Sequence, residues 1–105
     1  MKTIITSKGN TPNAGFDLRF GRGAFFCLYD SELSETIFIE NIHANAQGGA
    51  GTKTAEKMVE LGVRKVISGD FGPKAKALLN EFHIKMETYQ NEDKTISDMI
   101  KMFAK

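Results

Sequence analysis

The sequence predicts an α/β domain, with a five-stranded mixed sheet and three flanking helices. Five short apolar runs act as strands, and three segments after the third run repeat apolar residues at helical spacing. The second and third runs are separated by only four residues, which permits only an antiparallel hairpin. Each of the last two runs is reached through a helix, so these two strands should be parallel to each other.

The first three strands are predicted to form an antiparallel meander. In the first, residues 2–7, Ile4 and Ile5 point to opposite faces, so both faces are covered and the strand is central. Residues 24–30 are almost uninterruptedly apolar and predict a second interior strand. Residues 35–41 form the third. The connection at residues 16–23 carries two phenylalanines and two arginines and predicts an ordered, partly buried loop.

The second half alternates helices with strands. Helices are predicted at residues 52–61, 73–82 and 95–104, and strands at 63–68 and 84–89. The last strand alternates polar and apolar residues, which is typical of a sheet edge. Asp70 is predicted to cap the second helix, and Thr95 or Ser97 the third.

Two glycine-rich turns stand directly ahead of the first two helices. Gly48, Gly49 and Gly51 precede the first, and Gly69 and Gly72 precede the second. A helix N-terminus presents free N–H groups and partial positive charge, so an anion can bind there. Both turns should lie at the same end of the sheet and form one cleft. Alternatively, the glycines are sterically required where a helix packs on the sheet; dinucleotide-binding and P-loop glycine spacings are not met.

Composition restricts the class of protein. A chain of 105 residues with 41% hydrophobic content predicts one folded domain, residues 1–105. One cysteine excludes an internal disulfide framework, and no stretch approaches the ~20 apolar residues of a membrane span. The first residues turn polar too early for a signal peptide, so the expected location is the cytoplasm. A formal net charge of +1 gives no bulk electrostatic reason to bind nucleic acid.

Two arginines are candidates for binding an anion. Arg19 and Arg22 are close enough in the loop to form a clamp on an anionic ligand. The alternative is that one of them forms a salt bridge with Asp17 or Asp30 and fixes the loop.

Three further residues are weighed as metal ligands. Cys27 lies within an apolar strand, where a thiol usually acts as a small buried hydrophobe, although it is also a candidate cluster ligand. His43 lies in the loop before the first glycine turn and is either a metal ligand or simply solvated. His83 follows a helix, where its charge suits the helix dipole. The spacing of these residues does not match a zinc site.

Four motifs in order carry a resemblance to a known family: Asp-Leu-Arg-Phe-Gly-Arg at 17–22, Gly-Gly-Ala-Gly at 48–51, Glu-Leu-Gly-Val at 60–63, and Ser-Gly-Asp-Phe-Gly-Pro-Lys-Ala at 68–75. With them the chain resembles the dinitrogenase iron–molybdenum cofactor-binding family. The resemblance implies a ribonuclease H-like fold. It also implies a non-enzymatic carrier of the iron–molybdenum cofactor, its precursor or an iron–sulfur cluster, with cluster-assembly proteins as partners.

One departure from the family pattern concerns the ligands. Family members often have histidine where this chain has Arg19, and arginine stays protonated and does not ligate metals. It can still pair with an anionic cluster or an acidic organic arm. Two other functions remain open: an interaction module that uses an edge strand or helix face, and a metal-dependent nuclease. A nuclease needs clustered carboxylates on its central strand, and residues 2–7 carry none.

Overall fold

The structure is a computed structural model that describes residues 1–103. Five strands and three helices follow one another in the order βββαβαβα. The strands are β1 (Lys2–Ser7), β2 (Phe25–Asp30), β3 (Glu35–Glu40), β4 (Lys65–Ser68) and β5 (Lys85–Thr88). The helices are α1 (Ala50–Leu61), α2 (Pro73–Glu81) and α3 (Ile96–Phe103). No helix up to Phe103 is both long and apolar enough to cross a membrane.

The five strands form one mixed sheet in the order β3-β2-β1-β4-β5. β1 pairs antiparallel with β2 and parallel with β4, β2 pairs antiparallel with β3, and β4 pairs parallel with β5. The predicted α/β class, the meander, the parallel pair, the central β1 and the edge position of β5 are confirmed. The sheet has β3 as its other edge.

Two hydrophobic clusters cover the two faces of the sheet. Ile4 packs with residues of α1 and α2, including Met58 and Leu79. Its neighbour Ile5 packs on the opposite face with residues of α3, including Met99. The adjacent isoleucines therefore point into separate cores, because successive side chains of a strand alternate between faces.

The loop at residues 16–23 crosses the end of the sheet at which β1 and β4 finish. Phe16 and Phe20 are fully buried, which confirms that the loop is ordered and partly buried. The N–H of Asp17 donates to the carbonyl of Thr6 (3.0 Å), and the N–H of Asp70 donates to the carbonyl of Leu18 (3.1 Å). These bonds fix the loop against both strands.

Helix termini differ in detail from the prediction. α1 begins at Ala50, so Gly51 lies inside its first turn, and the N-cap residue is Gly49 with φ of 70°. The prediction that Asp70 caps α2 is wrong, since the N-cap is Gly72 and no side chain caps this helix. α2 ends at Glu81, one residue before the predicted end.

The start of α3 agrees with one of the two predicted caps. The hydroxyl of Thr95 accepts the N–H of Asp98 (3.1 Å), and the Asp98 carboxylate accepts the N–H of Thr95 (3.1 Å). This reciprocal capping box satisfies two donors at the helix start and leaves Ser97 no capping role. The predicted last residue of the helix, residue 104, lies outside the described residues.

Candidate functional site

A cleft lies where α1 and α2 begin side by side at one end of the sheet. Its volume is about 480 Å³. The lining comes from the loop before β2 and from the first turns of both helices: Gly21, Arg22, Gly49, Ala50, Gly51, Thr52, Gly72, Pro73, Lys74 and Ala75. The two predicted glycine turns therefore meet at one site, as expected because the strands that precede them, β3 and β4, run in the same direction and finish at the same end of the sheet.

Both helices begin without a side-chain cap, which leaves backbone donors at the cleft. The first intrahelical bonds are donated by Lys53 to the carbonyl of Gly49 and by Lys76 to the carbonyl of Gly72 (both 2.9 Å). The preceding amides have no acceptor among residues 1–103: those of Ala50, Gly51, Thr52, Lys74 and Ala75. All five residues line the cleft. Such donors at a helix N-terminus need an anion or water.

The floor of the cleft depends on a close approach between two glycines. A Cβ atom on Gly21 would lie 2.8 Å from the nitrogen and 2.9 Å from the Cα of Gly51, which no real side chain tolerates. A Cβ on Gly51 would in turn lie 3.6 Å from the Cβ of Ala75. The loop before β2, the first turn of α1 and the first turn of α2 are therefore packed directly against one another.

The charge of the lining is positive. Arg22 and Lys74 are both exposed at the cleft, and no carboxylate is among its lining residues. Each helix N-terminus adds the equivalent of about half a positive charge. The field in the cleft therefore attracts anions.

The Arg22 side chain holds a neighbouring loop at the cleft. Its guanidinium donates to the carbonyls of Ala44 (3.2 Å) and Ala46. In the same region, the buried amide of Asn41 donates to the carbonyls of Gly21 (3.1 Å) and Gly23 (2.9 Å). The loop that joins β3 to α1 is thereby tied to the loop before β2.

The Arg19 side chain is engaged elsewhere. Its Nε and Nη2 donate to the two carboxylate oxygens of Asp17 at 3.0 and 2.9 Å, and the Arg19 backbone N–H donates to the same carboxylate. Burial alone would raise the pKa of Asp17, but the hydrogen bonds and charge of Arg19 outweigh burial and hold this pKa below its usual value. Arg19 thus forms the predicted salt bridge.

The two arginines do not converge as a clamp. Arg22 lines the cleft, whereas Arg19 does not, because its guanidinium is bound in bidentate fashion to Asp17. Arginine and carboxylate groups pair well in this planar geometry. Only Arg22 of the pair is positioned to meet a ligand in the cleft.

The predicted glycines divide into two groups. Gly49, Gly51 and Gly72 line the cleft. Gly48 is exposed and does not, and Gly69 is buried, where its added Cβ would lie 2.5 Å from both the Cβ and the carbonyl oxygen of Leu18. Gly69 thus fits the alternative interpretation, a glycine required by close packing.

The predicted metal ligands Cys27 and His43 do not line the cleft. Cys27 is fully buried in the core beside α3, and burial raises the pKa of its thiol to about 12. His43 lies in the loop after β3 and lines a separate cavity. Among residues 1–103, no three His, Cys, Asp or Glu side chains are grouped so that they could hold a metal ion.

Sequence reasoning missed Lys74 as a cleft residue. It follows Pro73 in the first turn of α2, within a motif that the sequence had already singled out. The sequence did contain an indication of this role. A lysine in the first turn of a helix interacts unfavourably with the helix dipole, which suggests that it is there to bind a ligand.

This fold and site define a small α/β domain of ribonuclease H-like topology with a cationic, amide-lined cleft. The family model described as "Dinitrogenase iron-molybdenum cofactor" matches residues 1–105. The chain belongs to the dinitrogenase iron–molybdenum cofactor family, as its motifs predicted.

Three similar proteins share the sequence or the fold of this chain. The protein MJ0580 of Methanocaldococcus jannaschii, named as uncharacterised, is 30% identical over 87 residues, which cover 80% of this chain and 72% of the relative. The apo form of the orange protein from Desulfovibrio gigas has a TM-score of 0.89 at 26% identity, over 98% of this chain and 86% of that chain. A Thermotoga protein, TM1290, is provisionally assigned as NifB and is described as belonging to the DUF35 family. It has a TM-score of 0.83 at 27% identity, over 98% of this chain and 86% of that chain.

Proposed function

We propose that this protein is a carrier of an anionic metal cluster, the iron–molybdenum cofactor, its precursor or an iron–sulfur cluster, and that it binds rather than converts its cargo. The observation that carries the proposal is the meeting of two uncapped helix N-termini at one cleft with Arg22 and Lys74. The family supplies the kind of cargo. The cleft supplies the reason why the cargo is anionic.

The donor set favours binding through the outer atoms of the cluster. Metal ligation by protein requires thiolate, imidazole or carboxylate groups. The cleft lining contains none of these, and it offers five amides and two cations instead. These groups would hold the sulfides or the acidic organic arm of a cluster by charge-assisted hydrogen bonds. The Arg22 guanidinium would exchange its two carbonyl partners for the cargo.

A nuclease function lacks its essential group. Two-metal cleavage of a phosphodiester needs carboxylates that face one another on the central strand. β1 carries no acidic residue, and the described part of the chain holds no group of acidic side chains suited to a metal ion. Binding is therefore the function that the geometry supports best.

The experiment is anaerobic reconstitution of the apo protein with an iron–sulfur or a molybdenum–iron cluster. We expect charge-transfer absorption and stoichiometric iron per chain after desalting. The double variant R22Q/K74Q should lose at least about tenfold in affinity, since a hydrogen bond to a charged group contributes about 1.5–3 kcal/mol. The matched control R64Q/K101Q removes two cations outside the cleft lining and should bind as the wild type does. Absence of uptake by the wild type would contradict the carrier function. Equal affinity of the two double variants for the cluster would contradict the proposal that the cluster binds in the cleft.

A further inference from the structure

The second edge of the sheet, β3, has the properties of a docking site for a strand. We propose that β3 binds an extended segment of a partner protein, with lysine or arginine at its two ends and apolar residues between them, as a sixth strand. This proposal does not depend on the cluster or on the cleft. Three observations support it: unpaired backbone groups, exposed apolar side chains and the distribution of charge.

The backbone of β3 presents unpaired groups outward. The N–H of Asn41 donates to the carbonyl of Ala24 (2.9 Å), which makes these two a hydrogen-bonded pair of the β2–β3 ladder. Bonded and non-bonded pairs alternate in an antiparallel ladder, so Thr36, Phe38 and Glu40 direct their N–H and C=O groups away from β2. Within residues 1–103 no donor or acceptor meets them. A partner strand would complete this ladder.

Apolar side chains accompany these groups. Ile37 is 52% exposed and Ile42, just beyond the strand, is 79% exposed. Ile37 and Ile39 stand opposite Leu28 and Phe26, whose side chains belong to the core under α1 and α2. An added strand would place alternate residues beside Ile37 and Ile39 on this face.

A cavity lies next to these isoleucines. It has a volume of about 310 Å³ and lies between β3, the loop that follows it and α1, with Ile39, Ile42, His43 and Lys57 among its lining residues. Apolar side chains of a docked strand on this face would enter it. The partner strand therefore needs apolar side chains on the face towards α1, whereas the residues between its charged ends on the other face are not specified.

The charge of this region specifies a basic partner. Residues 23–52 contain Asp30, Glu32, Glu35 and Glu40 and no lysine or arginine, although the chain as a whole has a net charge of +1. Glu35 and Glu40 stand at the two ends of β3, are exposed, and form no ion pair within the described part of the chain. A strand with a cation at each end would pair with both.

The charge of the edge also disfavours a second copy of this chain as the occupant. Two antiparallel β3 strands can pair only residues that share a face, so with Ile37 at the centre Glu35 would stand opposite Ile39 and Glu40 opposite Ser34. Neither glutamate would meet a cation, and two edges of the same negative charge would be brought together. The acidic ends thus discourage self-association and leave the edge open to a basic strand.

The test is an NMR titration of the full chain with two capped hexapeptides. The first, Lys-Val-Thr-Val-Thr-Lys, places its lysines opposite Glu40 and Glu35 and its valines on the α1 side when it pairs antiparallel with β3. The second has glutamate in place of both lysines. We expect saturable shifts of the β3 amides with the lysine peptide only, and weaker binding as salt is raised.

Variants of the chain separate edge pairing from other binding. T36P removes one outward N–H and blocks the edge without touching the β2–β3 ladder, and it should abolish binding, whereas T36V should retain it. E35Q/E40Q should weaken binding about two- to thirtyfold, because each exposed ion pair contributes little. The control E56Q/E81Q removes two exposed charges on the helices and should have no effect.

Several results would overturn the proposal. These are no shifts at millimolar lysine peptide, shifts confined to another surface, equal binding of the two peptides, or undiminished binding by T36P. Concentration-dependent dimerisation through β3 without peptide would assign the edge to a second copy instead.

Discussion

Alanine should destabilise the protein at Gly69 but not at Gly72, the two glycines of the second turn. In G69A, the new Cβ would lie 2.5, 2.5 and 2.6 Å from the Cβ, carbonyl oxygen and Cα of Leu18. Two of these atoms belong to the backbone, so no rotation of a side chain relieves the contact. Leu18 and residue 69 must separate by about 1 Å to reach ordinary van der Waals distance.

The cost of that separation follows from the contacts around it. Overpacking a well-packed site costs about 1–3 kcal/mol. The hydrogen bond from the N–H of Asp70 to the carbonyl of Leu18, now 3.1 Å, would lengthen, with a further loss of about 0.5–1.5 kcal/mol. Alanine also restricts the unfolded chain more than glycine does, which raises the free energy of unfolding by about 0.4–1 kcal/mol and offsets part of this loss. The free energy of unfolding should therefore fall by about 0.5–4 kcal/mol.

G72A is the matched control in the same motif. Gly72 has nothing within 4 Å of its added Cβ, and its φ of −64° suits alanine. The loss of a favourable N-cap residue and the stiffer unfolded chain nearly cancel, so stability should change by less than about 0.5 kcal/mol. Because Gly72 lines the cleft, G72A should instead weaken cluster binding. Urea unfolding monitored by circular dichroism measures both stabilities. A G69A midpoint equal to that of the wild type would refute the packing argument.

Three other changes test the site and the cores. R22A should lower the affinity for the cluster without a loss of stability, because the exposed Arg22 side chain contacts only two loop carbonyls. R19A should destabilise the protein by about 1 kcal/mol, as Asp17 loses two of its three hydrogen bonds to an exposed partner. It should also raise the pKa of Asp17, since only the backbone N–H of residue 19 and the charge of Lys8 would then oppose the effect of burial. Stability should therefore be lost at a higher pH on acidification than in the wild type, where it is lost only below the usual aspartate pKa. The Cys27 thiol has a folded pKa of about 12 and a reference value of 9.0, so stability should be constant below pH 9 and decline as the pH rises towards 12.

Each of these has its own measurement and control. For R22A, cluster titration and urea unfolding are compared with the same measurements on R64Q. A clear loss of stability in R22A alone would indicate that Arg22 has a structural role. NMR titration of Asp17 in R19A is compared with R19K, which keeps the charge but not the bidentate geometry. Unfolding of the wild type and C27A from pH 7 to 10.5 should diverge by about 1–2 kcal/mol, and parallel curves would show that the thiol is not buried.

Most of the fold was predictable because it depends on patterns of burial. The adjacent Ile4 and Ile5 indicated a strand covered on both faces, and the short link between β2 and β3 fixed the hairpin. The errors concern the ends of helices and the residues that cap them. A sequence shows that Asp70 is able to cap α2, but whether its carboxylate reaches the helix depends on the path of the chain, and Asp70 is held instead by Leu18.

The cleft was predictable in its backbone and less so in its side chains. Glycines before two helices, after strands that run in the same direction, lie at the same end of the sheet, and Gly49, Gly51 and Gly72 line one cleft there. Which of two nearby arginines faces the cleft depends on χ angles and on competing partners. Asp17, two residues from Arg19, takes that arginine. Sequence spacing alone gives no means to rank these alternatives.

The mixed pairing of β1 has a consequence for the order in which the molecule is assembled. β1 pairs with β2 across 18 to 28 residues of chain, but it pairs with β4 across 62 residues, which include the β2–β3 hairpin and α1. Contacts between distant parts of a chain form more slowly than local ones. The cleft is lined by residues from distant parts of the chain, from Gly21 before β2 to Ala75 in α2. We therefore expect cargo to be loaded only onto finished molecules, and never onto a chain still emerging from the ribosome.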